Sequence, residues 1–576
     1  MEKIIKQRSY NLNNCEFPND TNSLLARIFA ARNINNLDEI SSKLEFLEKY
    51  NSLKDINIAS KIIAKAILNN KKIVIAGDFD CDGATSTTVA ILALRKLNAN
   101  VDYVVPNRIK LGYGLTPQLV DEAHKLDANL IITVDNGISS IEGVQHAKSL
   151  NIDVVITDHH LPKGELPKAD AIVNPNQQGC LFKSKNIAGV GVIFYTLCAV
   201  KNDLLTENYT AANDLNMAEY LDLVAIGTIA DVVTLDKNNR ILVSQGIARI
   251  RQNICREGIK SLFKICKKDI KTADTADIGF YVAPRINAAG RLSDMSLSVE
   301  LLISDDSEVT DDLANKIHRL NDQRREIEKL MLQEALEIAN DTLTDINEQH
   351  GIVLYKQSWH QGVIGILASR IKDKFHRPTI IFSQDSNDNN ILKASARSIE
   401  GYHLQQGLLR INDENKNLLL SFGGHSMAAG LSIHADNLVT FTNAFNLDVK
   451  NNLDSSYLSK IILTDGELDT QQISLNTYDM VKSVAPWGKD FPEPCFEGTF
   501  LLHSKRIVKD KHLRVSLQSI CDYNICFDGF MFNADVEKWS DHKLGKVKIV
   551  YQLDKTSFRN QDELKLKISY ISHVLN

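Results

Sequence analysis

Two hydrophobic patterns alternate through the first third of the chain. Short runs of consecutive apolar, mostly β-branched residues recur near 73–77, 101–105, 130–134, 154–157 and 171–173. Runs this short and largely apolar read as strands buried in a parallel sheet, although the one at 101–105 carries Asp102. Between them lie stretches with helical periodicity, among them roughly 139–150, long enough for right-handed crossovers. The pattern predicts a parallel sheet covered by helices on both sides.

Elsewhere the pattern changes. Residues 1 to about 60 look helical, with strong helix-former runs at Leu24–Arg32 and Ile56–Leu68. Arg27 and Arg32 read as a solvated helix face, with phosphate contact as the other reading. Ala188-Gly189-Val190-Gly191-Val192 opens a buried helix, and Tyr220–Val233 is nearly all apolar. A long charged helix over about 307–343, with apolar positions that include Ile317, Leu320, Ile327, Leu330 and Met331, reads as a connector between two lobes with its charges mostly in solvent. The second lobe begins with a strand at Ile352–Leu354, then a helix to Phe375 and a strand at Thr379–Phe382. From about Ser459 the chain turns β-rich. Strands are expected at Phe496–His503, Leu513–Gln518, Asn524–Phe530, Lys546–Leu553 and Leu564–Ile571. Five strands with short polar connections fit a small barrel such as an OB-fold.

The first strands end in chemistry. The first runs into Asp78-Phe79-Asp80-Cys81-Asp82-Gly83, the third into Asp135-Asn136-Gly137 and the fourth into Asp158-His159-His160. In extended chain, residues two apart point the same way, which would bring Asp78, Asp80 and Asp82 to one side. Carboxylates at that density suggest a hard divalent cation, Mg²⁺ or Mn²⁺; a turn rich in helix-capping aspartates is the other reading of that stretch alone. Ligand sites of open α/β sheets lie outside the carboxyl ends of the strands, and three strands here deliver acids or histidines to that edge. Asp231, isolated in an apolar run, is a candidate fourth acid, unless it only caps a helix end.

Candidate anion contacts are more scattered. Arg108 follows the second strand, close to Gly112-Tyr113-Gly114. Arg285 and Arg291 flank the small residues of Pro284–Arg291, read as a loop that lets a phosphate approach the backbone. Ser395-Ala396-Arg397-Ser398 and Gly423-Gly424-His425 offer hydroxyls, a guanidinium and an imidazole; a glycine-rich turn with a structural histidine is the alternative. Lys505, Arg506, Lys509, Lys511, His512 and Arg514 cluster around one predicted hairpin, with Tyr523, Phe527, Phe530 and Phe532 nearby. Basic groups that track a backbone and rings that stack bases suit single-stranded nucleic acid; core aromatics beside a solvated hairpin would give the same composition.

Composition narrows the class. At 576 residues three or four domains are expected, and 44% hydrophobic content is ordinary for a globular chain. A net charge of −6 argues against a wholly basic coat, so nucleic-acid contact must use local patches. The nine cysteines show no CxxC spacing and suit a reducing cytoplasm. Neither a signal-peptide core nor a membrane-length apolar run is present in the sequence.

Asp78–Gly83, Val134–Gly137, Asp158-His159-His160 and Gly227–Val233 resemble, in order, the four motifs of the DHH phosphoesterase superfamily. Within it the chain closely resembles the RecJ family, bacterial single-strand-specific 5′→3′ exonucleases. Leu24–Arg32, Arg285–Arg291, Ser395–Ser398, Gly423-Gly424-His425 and the β-rich tail share in the likeness. It implies an α/β parallel-sheet DHH domain joined by a long helix to a smaller α/β DHHA1 domain, followed by a β-barrel OB-fold. The expected boundaries are an N-terminal helical segment 1–60, the DHH domain 61–235, a helical and connector region 236–345, DHHA1 346–450 and the OB-fold 455–576. The resemblance implies two Mn²⁺ or Mg²⁺ ions held by Asp80, Asp82, Asp135, His159 and Asp231, with Asp135 bridging and Asp78 and Asp158 as further candidates. His160 would contact the scissile phosphate. Arg108, Tyr113, Ser395 and Arg397 would bind the 5′-terminal phosphate, with Arg285 and His425 near the neighbouring backbone. Some relatives carry a histidine where this chain has Ala76, so one ligand there is absent or replaced; Thr234 stands where proline is frequent. The implied activity is metal-dependent release of 5′-mononucleotides from single-stranded DNA in recombination and repair, with a helicase and single-strand-binding protein as possible partners. A small-substrate phosphodiesterase and a non-catalytic DNA-binding scaffold are the other readings; the basic tail argues against the first and the intact acids and histidine pair against the second.

Overall fold

The computed structural model describes residues 3–106, 112–162, 164–342, 350–386, 388–484, 486–541, 543–558 and 561–574. Arg108 therefore lies outside the described residues. The chain divides into two compact units: residues 47–233 with 245–460, and residues 3–46 with 234–244 and 461–576.

In the first unit, five parallel strands form one sheet in the spatial order Val101–Val104, Ile73–Ala76, Leu130–Val134, Asp153–Thr157, Ala171–Val173. Numbered along the chain this order is 2-1-3-4-5. The strand order reverses between the first and third strands, where open α/β sheets hold their ligands. The central strands are buried at every position because helices cover both faces. On one face Leu119, Val120, Val144 and Ala147 pack against Val74, Ile131 and Val154. All five strands fall where the sequence places them; the edge strand Val101–Val104, with Asp102 in it, is only partly buried.

Helix Ser307–Thr342 leads into the second lobe of this unit. Met331, Ala335 and Ala339, one helical turn apart, join the core formed by Trp359, Val363 and Leu367. Its charges are not all in solvent: Arg324 and Glu328 form a buried pair that Arg370 joins. The lobe's mixed sheet runs in the order Ser421–Gly424, Ala428–His434, Ile391–Arg397, Thr379–Gln384, Ile352–Tyr355. The Ser395–Ser398 and Gly423–Gly430 segments thus belong largely to strands rather than to turns. Their small residues hide the period-2 pattern, since Ala396 and Ala429 face the core while Ser395 and Gly430 face out. Pro284–Arg291 also departs from expectation. It lies in helix Ala283–Leu292, which continues directly from the π-helical turn Ile278–Val282, so the proline sits inside an unbroken helical run where the π-turn gives way to the α-helix.

In the second unit, Phe496–Val508, His512–Ser519, Cys526–Met531, Gln561–His573 and Gly545–Phe558 close in that order into a barrel, with Cys526–Met531 and Gln561–His573 parallel. Strand His512–Ser519 alternates buried and more exposed residues along its length. The N-terminal residues are less helical than expected: Ser23–Ala30 is an α-helix, but Ile4–Gln7 is a strand paired in parallel with Ile461–Thr464. The solvated-face reading of Arg32 is overturned. Its guanidinium grips Asp465 through two bonds of 2.7 and 3.1 Å, with both side chains 1% exposed.

Candidate active site

The sheet's switch point gathers the acids. Beyond Ile73–Ala76 the chain does not stay extended. Asp80 caps helix Cys81–Lys96, its Oδ1 accepting the Gly83 N–H at 3.0 Å, and Asp82 lies in that helix's first turn. The three aspartates consequently serve two places rather than one. Asp78 and Asp80 converge with Asp135; Asp82 converges with His159 and Asp231. Asp82 reaches its place because its carboxylate accepts the backbone N–H groups of Gly189 and Val190, at 2.7 and 3.0 Å, at the N-terminus of helix Gly189–Thr206. There the unpaired amides and the helix dipole favour negative charge.

Asp135 ends the third strand with φ 63°, a left-handed conformation that aspartate tolerates better than most residues. The next residue, Asn136, supports the loop: its side-chain amide donates to the carbonyls of Val134 and Ala76, at 2.9 and 3.1 Å. Ala76, where the resemblance left a ligand in question, is buried and supports this loop through its carbonyl. His159 Nε2 lies 3.1 Å from Asp135 Oδ1, 3.5 Å from Asp231 and 4.0 Å from Asp82. Asp231 terminates helix Leu221–Ala230. Asp135 Oδ1 and His159 Nε2 are both buried and neither makes a hydrogen bond. Two lone-pair donors aimed at one spot, among further carboxylates whose candidate ligand atoms lie within 4.8 Å of one another in each group, fit divalent cations.

Electrostatics point the same way. Burial, then the charges of Asp82, Asp80, Asp78 and Asp231, holds the Asp135 carboxyl well above its ordinary range. Asp82 is pushed up to about 7, by burial first and then by Asp231. Burial and the neighbouring His160 charge lower the His159 pKa and favour the neutral imidazole that a metal ligand must be. His160 differs. Burial pulls its pKa down, but the hydrogen bond and charge of Asp158, helped by Asp231 and Asp78, outweigh it and raise it to about 9. His160 is thus a cation beside the acid cluster. Asp158 was a candidate ligand; its oxygens are instead engaged. Oδ1 accepts from His159 N, His160 N and His160 Nδ1 at 2.7, 3.1 and 2.7 Å, and Oδ2 accepts from Ile138 N at 2.8 Å.

A cavity of about 590 Å³ opens from His160, lined by Phe79, Tyr113, Gln361, Lys393 and His425 among others. The Tyr113 hydroxyl lies 3.3 Å from His160 Nε2, and the His425 ring lies nearly parallel to that of His160 with centroids 6.3 Å apart. A neighbouring cavity of about 470 Å³ shares Gln361 and Lys393 and adds Arg291, Ser395 and Arg397, whose Nη1 donates to Ser395 Oγ at 3.2 Å. Both cavities lie between the two lobes of the first unit. Arg285 lines neither; it is buried and donates to the Tyr281 carbonyl and His318. Sequence reasoning missed Gln361 and Lys393, which no motif marks. It also missed Asn287, which accepts the Cys81 N–H at 2.9 Å and fixes the first acidic loop.

On the barrel, His512, Phe530 and Phe532 form an aromatic cluster with centroids 4.7–5.6 Å apart, beside the exposed Lys509 and Lys511 of the turn. Phe527 packs edge-on against Phe500, Lys505 pairs with Asp541, and Arg514 pairs with Asp528. Among the described residues no helix is long and apolar enough to cross a membrane.

Family models match along the chain in order: the DHH family N-terminal domain at 72–228, the DHHA1 domain at 348–451 and the RecJ OB domain at 464–570. The single-stranded-DNA-specific exonuclease RecJ of Haemophilus influenzae is 43% identical over the full length of both chains. That of Escherichia coli is 43% identical over 96% of this chain and 97% of its own. The crystal structure of RecJ in complex with Mn²⁺ from Thermus thermophilus superposes with a TM-score of 0.79 at 26% identity, covering 96% of this chain and 76% of that one. With identity of this extent over the whole chain, a family model matching each domain in order, and the acids gathered at the sheet edge that the sequence marks, the chain belongs to the RecJ family.

Proposed function

We propose that the chain is a metal-dependent 5′→3′ exonuclease that degrades single-stranded DNA to 5′-mononucleotides. The observation that carries this is the convergence of Asp78, Asp80, Asp82, Asp135, His159 and Asp231 beside two joined cavities that can take a nucleotide and its phosphates. Those six residues would hold two Mn²⁺ or Mg²⁺ ions, with Asp135 contributing to both. The ions would activate water and offset charge on the phosphate.

The chain's own groups do the rest. Arg397 and Ser395 bind the 5′-terminal phosphate, with Tyr113 and His425 along the terminal nucleotide. This sets the direction of travel: only a strand with a free 5′ end reaches the acids. His160, held as a cation by Asp158, donates a hydrogen bond to the scissile phosphate as the bond from phosphorus to the 3′-oxygen breaks. The cleft between the lobes admits a single strand and not a duplex. The downstream strand lies on the barrel, its bases against His512, Phe530 and Phe532 and its phosphates near Lys509 and Lys511. The enzyme works in the cytoplasm in recombination and repair, with a helicase and single-strand-binding protein as partners.

The test is a time course on 3′-labelled single-stranded DNA with and without Mn²⁺, beside a matched duplex, a 5′-blocked strand and the Asp135→Ala variant. A metal-dependent ladder shortening from the 5′ end, absent from all three controls, is expected. Tight binding without cleavage would indicate a scaffold, and turnover of very short fragments alone a small-substrate phosphodiesterase; either overturns the proposal.

A further inference from the structure

The histidine pair stands beyond the end of its strand, where no ladder fixes it: the last ladder bond on that side is Asp158 N–H to the Val173 carbonyl at 3.1 Å. Yet all four backbone polar groups of His159 and His160 are bound by side chains. Asp158 takes the two N–H groups. The two carbonyls are taken by asparagines from the neighbouring strand's exit, Asn174-Pro175-Asn176. Asn174 Nδ2 donates to His160 O at 2.9 Å, and Asn176 Nδ2 donates to His159 O at 2.6 Å.

The asparagines are themselves braced. Asn174 is fully buried, and its Oδ1 accepts the Asn176 N–H at 2.7 Å, closing an Asx turn across the proline. Asn176 Nδ2 also donates to Lys185 O at 3.2 Å, while Lys185 Nζ donates to the carbonyls of Pro175 and Cys180, each at 2.8 Å. Gln177 Nε2 ties the turn back to the strand at Ile172 O, 2.5 Å.

We propose that Asn174 and Asn176 are positioning residues for the reaction: by clamping the carbonyls of His160 and His159 they aim one imidazole at the metal ligands and the other at the substrate cavity. The inference rests on the functional reading of the histidines given above. The backbone of this dipeptide has no other anchor on its carbonyl side among the described residues. Loss of one clamp frees a peptide plane whose side chain must stay within about half an ångström of its working place. The two clamps also divide the labour. Asn176 acts on the metal-facing ring, Asn174 on the substrate-facing ring.

Asn176→Ala in the full-length protein is the test, because Asn176 is only partly buried and its loss leaves the Asx turn's acceptor in place. Mn²⁺ affinity measured by calorimetric titration without DNA is expected to fall about 10- to 100-fold, the range seen when the groups that orient metal-binding histidines are removed. At ordinary Mn²⁺ kcat falls with it and recovers at high Mn²⁺, while KM for single-stranded DNA stays within about twofold. Asn174→Ala, if it folds, is expected instead to lower kcat without recovery at high Mn²⁺. If Asn176→Ala lowers the melting temperature but leaves Mn²⁺ affinity and kcat within about twofold of the parent, the asparagine is structural only and the proposal is wrong. Lack of any Mn²⁺ binding by the parent protein would overturn the metal-site reading itself, not the clamp alone.

Discussion

Gly189→Ala adds one methyl group and removes no charge, no ligand and no hydrogen bond, yet it is expected to cripple the site. Gly189 opens helix Gly189–Thr206 directly behind Asp135. A Cβ there would stand 2.6 Å from both Cβ and Oδ1 of Asp135 and 2.8 Å from its Cα. Ordinary carbon–carbon contact is about 3.5–4.0 Å, so the shortfall is roughly 1 Å. The obstacle is backbone and Cβ rather than a flexible tip, and Asp135 is already in left-handed geometry and 2% exposed, so its loop must move as a whole. Overpacking of this kind costs about 1–3 kcal/mol; alanine in place of glycine in a helix returns roughly 0.5–1 kcal/mol. The steric effect wins, but the net loss of stability is modest and the protein should fold. A shift of about 1 Å in a reacting group can lower the rate about 100-fold. The expected result is a loss of kcat on that scale, weakened Mn²⁺ binding and a small drop in melting temperature. Gly191→Ala is the control: its Cβ would meet only the Ile187 side chain, at 2.4 and 2.7 Å, so stability should fall while kcat of the folded fraction holds. If Gly189→Ala kept kcat and Mn²⁺ affinity within about twofold of the parent, the argument that Asp135's place is fixed by the bare helix start would fail.

Two further outcomes are expected. Asp82 titrates near 7 in the metal-free fold, against 3.8 ordinarily, so the folded state binds more protons than the unfolded one between those values and metal-free stability falls as pH rises through that window. A cation must displace that proton and any held by the likewise raised Asp135, so the apparent Mn²⁺ affinity should fall as pH drops from about 8 to about 6, and a pH-independent affinity across that range would contradict the assignment. In the second unit, Asp465→Ala leaves the Arg32 guanidinium buried without its carboxylate, a change that costs about 3–5 kcal/mol. The calorimetric transition of that unit should move down accordingly, and Arg32→Met combined with Asp465→Leu should recover most of the loss; an unmoved transition in Asp465→Ala would refute the buried-pair reading.

The central strands of the DHH sheet were legible because burial on both faces leaves an apolar run, and the acids were legible because they follow those runs closely. The reason offered for their convergence was wrong in one respect. Alternation in extended chain would put Asp78, Asp80 and Asp82 together, but the chain turns into a helix at Cys81, and Asp82 is drawn by the amides of Gly189 and Val190 to a different group. That partner is 107 residues away in sequence and leaves no local trace. The second lobe was harder because Ser395, Ala396, Gly423 and Ala429 are too small to display a strand's alternation, and their glycine and serine content reads as turn. Arg32 and Arg285 looked like surface or phosphate-binding groups because arginine is usually exposed; only tertiary partners, Asp465 for one and Tyr281 O with His318 for the other, account for their burial.

The site holds two conformations that local preference alone would not choose. Asp135 sits at φ 63°, and Val232, which follows Asp231, sits at φ 58° although a β-branched side chain is unfavourable there. Each such residue costs about 1–3 kcal/mol and persists only where its surroundings over-determine it. Both occur beside acids that burial and mutual repulsion already destabilise in the metal-free state. Backbone strain and carboxylate repulsion thus fall on the same few residues, and divalent cations relieve the second of them. What resists both in the meantime is hydrogen bonding between side chains and backbone groups: the helix start at Gly189 holding Asp82, Asn287 holding the Cys81 amide, Asn136 holding the Asp135 loop, and Asp158 with the two asparagines holding the histidines. The ligands can therefore stay near their working places before any cation arrives, and binding need not also order the loops that carry them.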